Sequence, residues 1–113
     1  MLTRAAIFAA EDLKSEIVGV PEWGGAVKVQ EMSGALRIRW ENAVAGLGAD
    51  AGLKILGALV VCSVVDESGE PLFTDADIDA LGKKSAAALT RVYNAATKVS
   101  GLRPADLDNA VKN

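Results

Sequence analysis

Leu53-Lys54-Ile55-Leu56-Gly57-Ala58-Leu59-Val60-Val61-Cys62-Ser63-Val64-Val65 is almost wholly apolar, interrupted by charge only at Lys54. Its length favours a buried helix, whereas the doublets Val60-Val61 and Val64-Val65 favour strand. Periodicity does not separate the two forms in a run of this kind. The reading adopted is a helix at the centre of the core, with strand left open.

Upstream, Glu16-Ile17-Val18-Gly19-Val20 and Ala26-Val27-Lys28-Val29-Gln30-Glu31-Met32 flank Pro21-Glu22-Trp23-Gly24-Gly25. β-Branched residues on both sides of a Pro/Gly-rich connection predict an antiparallel hairpin. Val27, Val29 and Glu31 fall on one face, and Ala26, Lys28, Gln30 and Met32 on the other. Trp23 at the tip either folds back over the hairpin or stands out as a partner anchor. Before the hairpin, Thr3 caps a short helix over residues 4–11, with Leu2 and Ile7 spaced as a hydrophobic staple. Two turns are too few to stand without packing.

Between the hairpin and the apolar run, Ser33 caps a helix carrying Leu36, Trp40 and Val44. The glycines at 46, 48 and 52 break or kink it. Downstream, Asp66-Glu67-Ser68-Gly69-Glu70-Pro71 is a turn by composition. Thr74 and Asp77 form a variant capping box, Phe73 can staple onto Ile78, and Lys83 and Lys84 follow at the other end. Ser85 caps a further helix with Leu89, Val92, Tyr93, Ala96 and Val99 on one stripe, ended by Gly101. Pro104 opens a last short helix with Leu107, Ala110 and Val111, whose end at Lys112-Asn113 is expected to fray. The fold class is α+β: an N-terminal two-stranded β-hairpin on a mainly α-helical body of about five helices.

All 113 residues suit one domain, residues 1–113. Half are apolar but only 4% are aromatic, and 20 are alanine, so the core is built from small side chains. A chain this short buries a limited fraction of its surface, and a mean hydropathy of +0.24 leaves apolar surface for partners. Histidine is absent, which removes the commonest general base and metal ligand. Cys62, alone in an apolar run, reads as a small buried hydrophobe. A net charge of −3 argues against nucleic acid or an anionic membrane as partner. No run is long enough for a transmembrane helix, and the N-terminus lacks the pattern of a signal peptide. A soluble, cytosolic, oligomer-prone protein is expected.

Asp66, Glu67, Glu70, Asp75, Asp77 and Asp79 form an acidic stretch without a base between them. A calcium loop of the EF-hand type fails on spacing. Counted from Asp66, the sixth position is Pro71 where glycine is needed, and the twelfth is Asp77 where a longer glutamate chelates. Gly46-Leu47-Gly48 lacks the Lys-Ser/Thr of a phosphate loop. No nucleophile, oxyanion donors and base come together by spacing, so no catalytic, cofactor-binding or metal-binding residue is assigned, and the protein is not expected to be an enzyme. The candidate sites are two turn segments that carry large apolar residues. One is Pro21, Glu22, Trp23, Gly24 and Gly25; the other contributes Asp66, Gly69, Leu72 and Phe73. Both are assigned to recognition or self-association.

Two stretches carry a resemblance. The first is Leu2-Thr3-Arg4, then Ile7 to Leu13, followed by Val20-Pro21-Glu22-Trp23-Gly24-Gly25. The second runs Val64 to Thr74, with Asp77, Ala80 to Ser85, Ala88 and Leu89 behind it. In that order they resemble the tail assembly chaperones of long-tailed bacteriophages, over most of residues 2–101. The resemblance implies a small, non-catalytic morphogenesis protein without cofactors, acting in the host cytoplasm and absent from the mature virion. Its implied partners are the helical tape-measure protein, which it keeps soluble, further copies of itself, and the tail-tube protein. It also implies a longer form made by ribosomal frameshifting, of which this chain would be the short version. A small structural subunit of the head–tail joint or tail tube is the alternative, and a regulatory module for a host protein a third reading.

Overall fold

The computed structural model describes residues 1–48 and 51–112, and in it the apolar run takes both forms in turn. Gly52–Ser63 is helical, and Val64–Val65 continues straight into a strand. In chain order the elements are α1 (Arg4–Ala9), β1 (Ser15–Val20), β2 (Gly25–Gln30), α2 (Gly34–Val44), α3 (Gly52–Ser63), β3 (Val64–Val65), α4 (Ile78–Leu81), α5 (Ala86–Val99) and α6 (Pro104–Lys112). The architecture is α+β, with a helical body behind an antiparallel sheet.

The hairpin forms as its alternation predicts, pairing Ser15 with Gln30 at the base and Val20 with Gly25 at the tip. A third strand completes it, because Val64 and Val65 pair with Val29 and Lys28 on the other side of β2. The sheet order is therefore β1-β2-β3, and among the described residues β1 has a neighbouring strand on one side only. β3 is only two residues long, and the backbone of Val64 turns to extended values (φ −83°, ψ 122°) directly at the helix end.

One face of the sheet is dry. Val18, Val20 and Val29 are buried there, and α5 packs against both long strands. Trp40 and Val44 from α2, Leu59 to Val61 from α3, and Val92 and Ala96 from α5 join them in one cluster. α3 presses α4 closely: a Cβ added at Gly57 would lie 2.7 Å from Ile78 Cγ2, so the missing side chain is what lets the elements meet. Every residue from Gly57 to Ser63 is buried, in keeping with a helix that is apolar nearly all round.

Local signals set the boundaries. The hydroxyls of Thr3, Ser33 and Ser85 each accept an N–H three residues on, at 3.2 Å, capping α1, α2 and α5. At the end of α5 the N–H of Gly101 donates to Lys98 O (3.1 Å) and that of Leu102 to Thr97 O (2.9 Å), a Schellman closure. The Thr74–Asp77 box governs a 3₁₀ turn, Asp75–Asp77, that leads into the single turn of α4. α2 stops at Val44, and the N–H of Gly46 then donates to Val111 O at 2.9 Å, joining the ends of α2 and α6. Of the glycine-rich break expected after α2, Ala49 and Asp50 lie outside the described residues, as does Asn113 of the expected frayed end.

Candidate partner-binding surfaces

The hairpin tip is a 3₁₀ turn over Pro21–Trp23, closed by the Gly24 N–H donating to Pro21 O at 3.0 Å. Gly24 holds φ 78°, a left-handed value that a side chain would resist. Glu22 does not point free. Its carboxylate accepts a fork of two bonds from Arg91 on α5, at 2.8 and 3.1 Å. These bonds hold the Glu22 carboxyl below the usual glutamate range and raise the Arg91 guanidinium. Trp23 packs half-buried against the core, with its Nε1 shielded and without a hydrogen-bond partner. Pro21, Gly24 and Gly25 are exposed.

The second segment is organised by Asp66. Its Oδ1 accepts from the Ser68 hydroxyl (2.6 Å) and from the N–H groups of Ser68 (2.9 Å) and Glu70 (3.1 Å). That set lowers the Asp66 pKa, the Ser68 hydroxyl contributing most. Gly69 sits at φ 89° and donates its N–H to Asp66 O. Leu72 donates its N–H to Val64 O while its side chain stays 53% exposed. Phe73 turns inward, half-buried against the core.

The turn lies across an open, polar cleft of about 550 Å³ from the chain's own N-terminal arm. Ala10 to Leu13 form one side, Ser15, Lys28 and Gln30 the floor, and Glu67 to Gly69 the other side. The floor belongs to the outer face of the sheet, the one that α5 does not cover.

Sequence reasoning passed over the exposed apolar side chains of this region. No residue of α1 is buried. Leu2, Ile7 and Phe8 stand 77%, 53% and 73% exposed, and the Arg4 guanidinium lies 4.8 Å over the Phe8 ring. Ile17 on β1 and Ile38 on α2 are likewise exposed. The usable signal was the length of α1: a capped two-turn helix that cannot hold itself together calls for a partner.

Cys62 is buried, and burial pushes its thiol pKa up, away from the reactive thiolate. Among the described residues no three of His, Cys, Asp and Glu gather in a way that could hold a metal ion. No helix of the described residues is long and apolar enough to cross a membrane.

The fold thus combines an exposed apolar arm with two turns held by their own hydrogen bonds. A solved structure of the bacteriophage HK97 tail assembly chaperone is similar, with a TM-score of 0.58 and 22% sequence identity over 84% of this chain and 94% of that one. At that identity the likeness speaks for the fold. A sequence model of the phage tail assembly chaperone family matches residues 2–113, and the chain belongs to that family. No curated protein matches.

Proposed function

We propose that this protein binds the tape-measure protein of its phage and keeps it soluble during tail morphogenesis, without catalysis. Family membership supports the reading, and the observation that carries it is the unburied arm. An arm with Leu2 ahead of α1 and Ile7 and Phe8 on it, all exposed, offers an apolar contact to a client that itself exposes apolar helical stripes. The hairpin tip, Pro21 to Gly25, and the Asp66, Gly69, Leu72 and Phe73 segment are assigned to the same work, Leu72 being their most exposed large apolar side chain. Glu22, Gly24 and Asp66 hold the two turns in shape, so the contact falls to the residues they display. Several copies act per client, in the host cytoplasm, and leave before the virion is complete. The tail-tube protein is the further partner, arriving as the copies leave.

Co-expression with the tape-measure protein, followed by size-exclusion chromatography with light scattering, tests this. A client that is insoluble alone and co-elutes with this protein supports the reading. A client that stays insoluble, together with this protein found as a stoichiometric component of purified tails, contradicts it and makes the chain a structural subunit.

A further inference from the structure

The sheet is closed on one side and open on the other. Beyond β3 the chain folds back on itself: the Leu72 N–H donates to Val64 O, and Val65 is bridged to Pro71, which has no N–H to offer a further strand. On the other side β1, Ser15–Val20, has only β2 for a neighbouring strand among the described residues. It holds no Pro and no Lys and pairs in unbroken register, so the usual devices that blunt an edge are missing from it.

The ladder fixes which backbone groups face that edge. Just below the strand the Glu31 N–H donates to Lys14 O at 2.7 Å, so in the register of the hairpin the groups of Glu16, Val18 and Val20 point into β2. Those of Ser15, Ile17 and Gly19 point to the open side. A Cβ built at Gly19 would meet no atom within 4 Å, and Ile17 is 68% exposed, so the approach is clear. A helix satisfies its own backbone groups and cannot answer these; an extended chain can.

The side chains beside the edge say what that chain carries. On the face turned to α5 a furrow of about 360 Å³ runs along β1. α5 passes from the tip of the hairpin, where Arg91 is closed on Glu22, to its base, where the Ser100 hydroxyl accepts the Met32 N–H. The furrow is therefore small and apolar at its middle, with Val18 and Ala95 both buried, and cationic toward the base, at Lys98. Lys98 is exposed and forms no ion pair among the described residues; Glu16, at the same end, does not close on it.

We infer that β1 takes an extended segment of a partner protein as a further strand, and that this segment carries a carboxylate two positions from a small apolar side chain. Side chains of the added strand that lie opposite Val18 and Glu16 fall on the α5 face. The apolar one covers Val18 and Ala95, and the carboxylate reaches Lys98. Backbone bonds to Ser15, Ile17 and Gly19 supply the hold, and the alternate side chains supply the choice of segment. A second copy of β1 offers the wrong order. Paired about Ile17, the register that uses every outward group, it sets the copy's Glu16 opposite Val18 and the copy's Val18 opposite Glu16.

The contact is separate from the apolar one made by the arm, and it is tested without a client, so its failure leaves the proposed function standing. A peptide of about eight residues, threonine and valine in alternation with one valine replaced by aspartate, is titrated to about 1 mM into the full chain labelled with nitrogen-15. A control peptide carries lysine in place of the aspartate. The amides of Ser15, Ile17 and Gly19 are expected to shift most, and the lysine peptide to bind about threefold more weakly. Lys98→Glu, at an exposed position, should reverse the order of the two peptides. Shifts centred away from β1, no binding by either peptide, or an order that Lys98→Glu leaves unchanged overturns the inference. So does the appearance of the same β1 shifts when the protein alone is concentrated from about 10 to about 500 µM, because the edge then belongs to a second copy.

Discussion

Val18 and Ile17 are neighbours in the chain and opposites in the fold. Val18 is buried against α5 with Val20, Val29 and the helical core, while Ile17 faces solvent beside an arm none of whose helical residues is buried. The two regions use the same vocabulary of alanine, aliphatic side chains and an occasional aromatic. What separates them is whether the chain's own elements cover them. The inner region carries stability, and the outer region, with its apolar side chains left uncovered, has the composition of an interface. Substitutions in the first should therefore unfold the protein without touching a contact, and those in the second should remove contacts from a protein that stays folded.

The largest effect belongs to Trp40, which is fully buried. Trp40→Ala should lower stability by about 3 kcal/mol in denaturant unfolding, the low end for an aromatic truncation. The low end is expected because Trp40 Nε1 has no partner, so its burial already carries a desolvation cost of about 1–3 kcal/mol. A loss near zero would place Trp40 outside the working core. Next is Gly57→Ala, which drives a methyl group into Ile78 and should cost about 1–3 kcal/mol. Ser85→Ala removes the hydroxyl that caps α5 and should cost about 1 kcal/mol. By contrast, Phe8→Ser should change unfolding by less than about 0.5 kcal/mol, because this large apolar side chain is already 73% exposed. A marked loss there would mean that the arm packs on its own chain in solution, and the division between the regions would fall.

The smallest effect is one of pH. The Glu22 carboxyl is depressed on folding, chiefly by the hydrogen bonds from Arg91. A depressed acid contributes stability in full above the ordinary glutamate pKa, and loses it as pH falls through the depressed value. Glu22→Gln should therefore melt slightly below wild type at neutral pH, and the gap should close on acidification. A gap that widens in acid would reverse the sign and contradict the pairing.

Much of the fold was legible because its signals are local. Thr3, Ser33, Ser85, Gly101 and Pro104 each mark a boundary by their own side chain or backbone. The hairpin followed from period-two alternation across a Pro/Gly turn. The third strand did not, because Val64 and Val65 end an apolar run in which helix and strand look alike, and only their pairing with β2 distinguishes them. The candidate surfaces were harder for the same reason. Glu22 meets Arg91 across 69 positions, so a charge that looked free at a turn is held by a helix far along the chain. Trp23 and Phe73 were chosen for size at turns, yet both lean on the core. The exposure of Ile17 depends on which sheet face α5 covers, and that information lies outside the strand. For α1 the sequence did carry the clue, since its shortness demanded a contact that the chain does not supply.

The central claim is that the uncovered region, and not the core, holds the client. The most direct measurement is co-expression of the tape-measure protein with an Ile7→Ser, Phe8→Ser double variant, reading soluble client and co-elution beside the wild type. The account predicts a variant that folds and melts like wild type but leaves the client insoluble. Full retention of soluble client by that variant would contradict it, and would move the binding surface away from the arm.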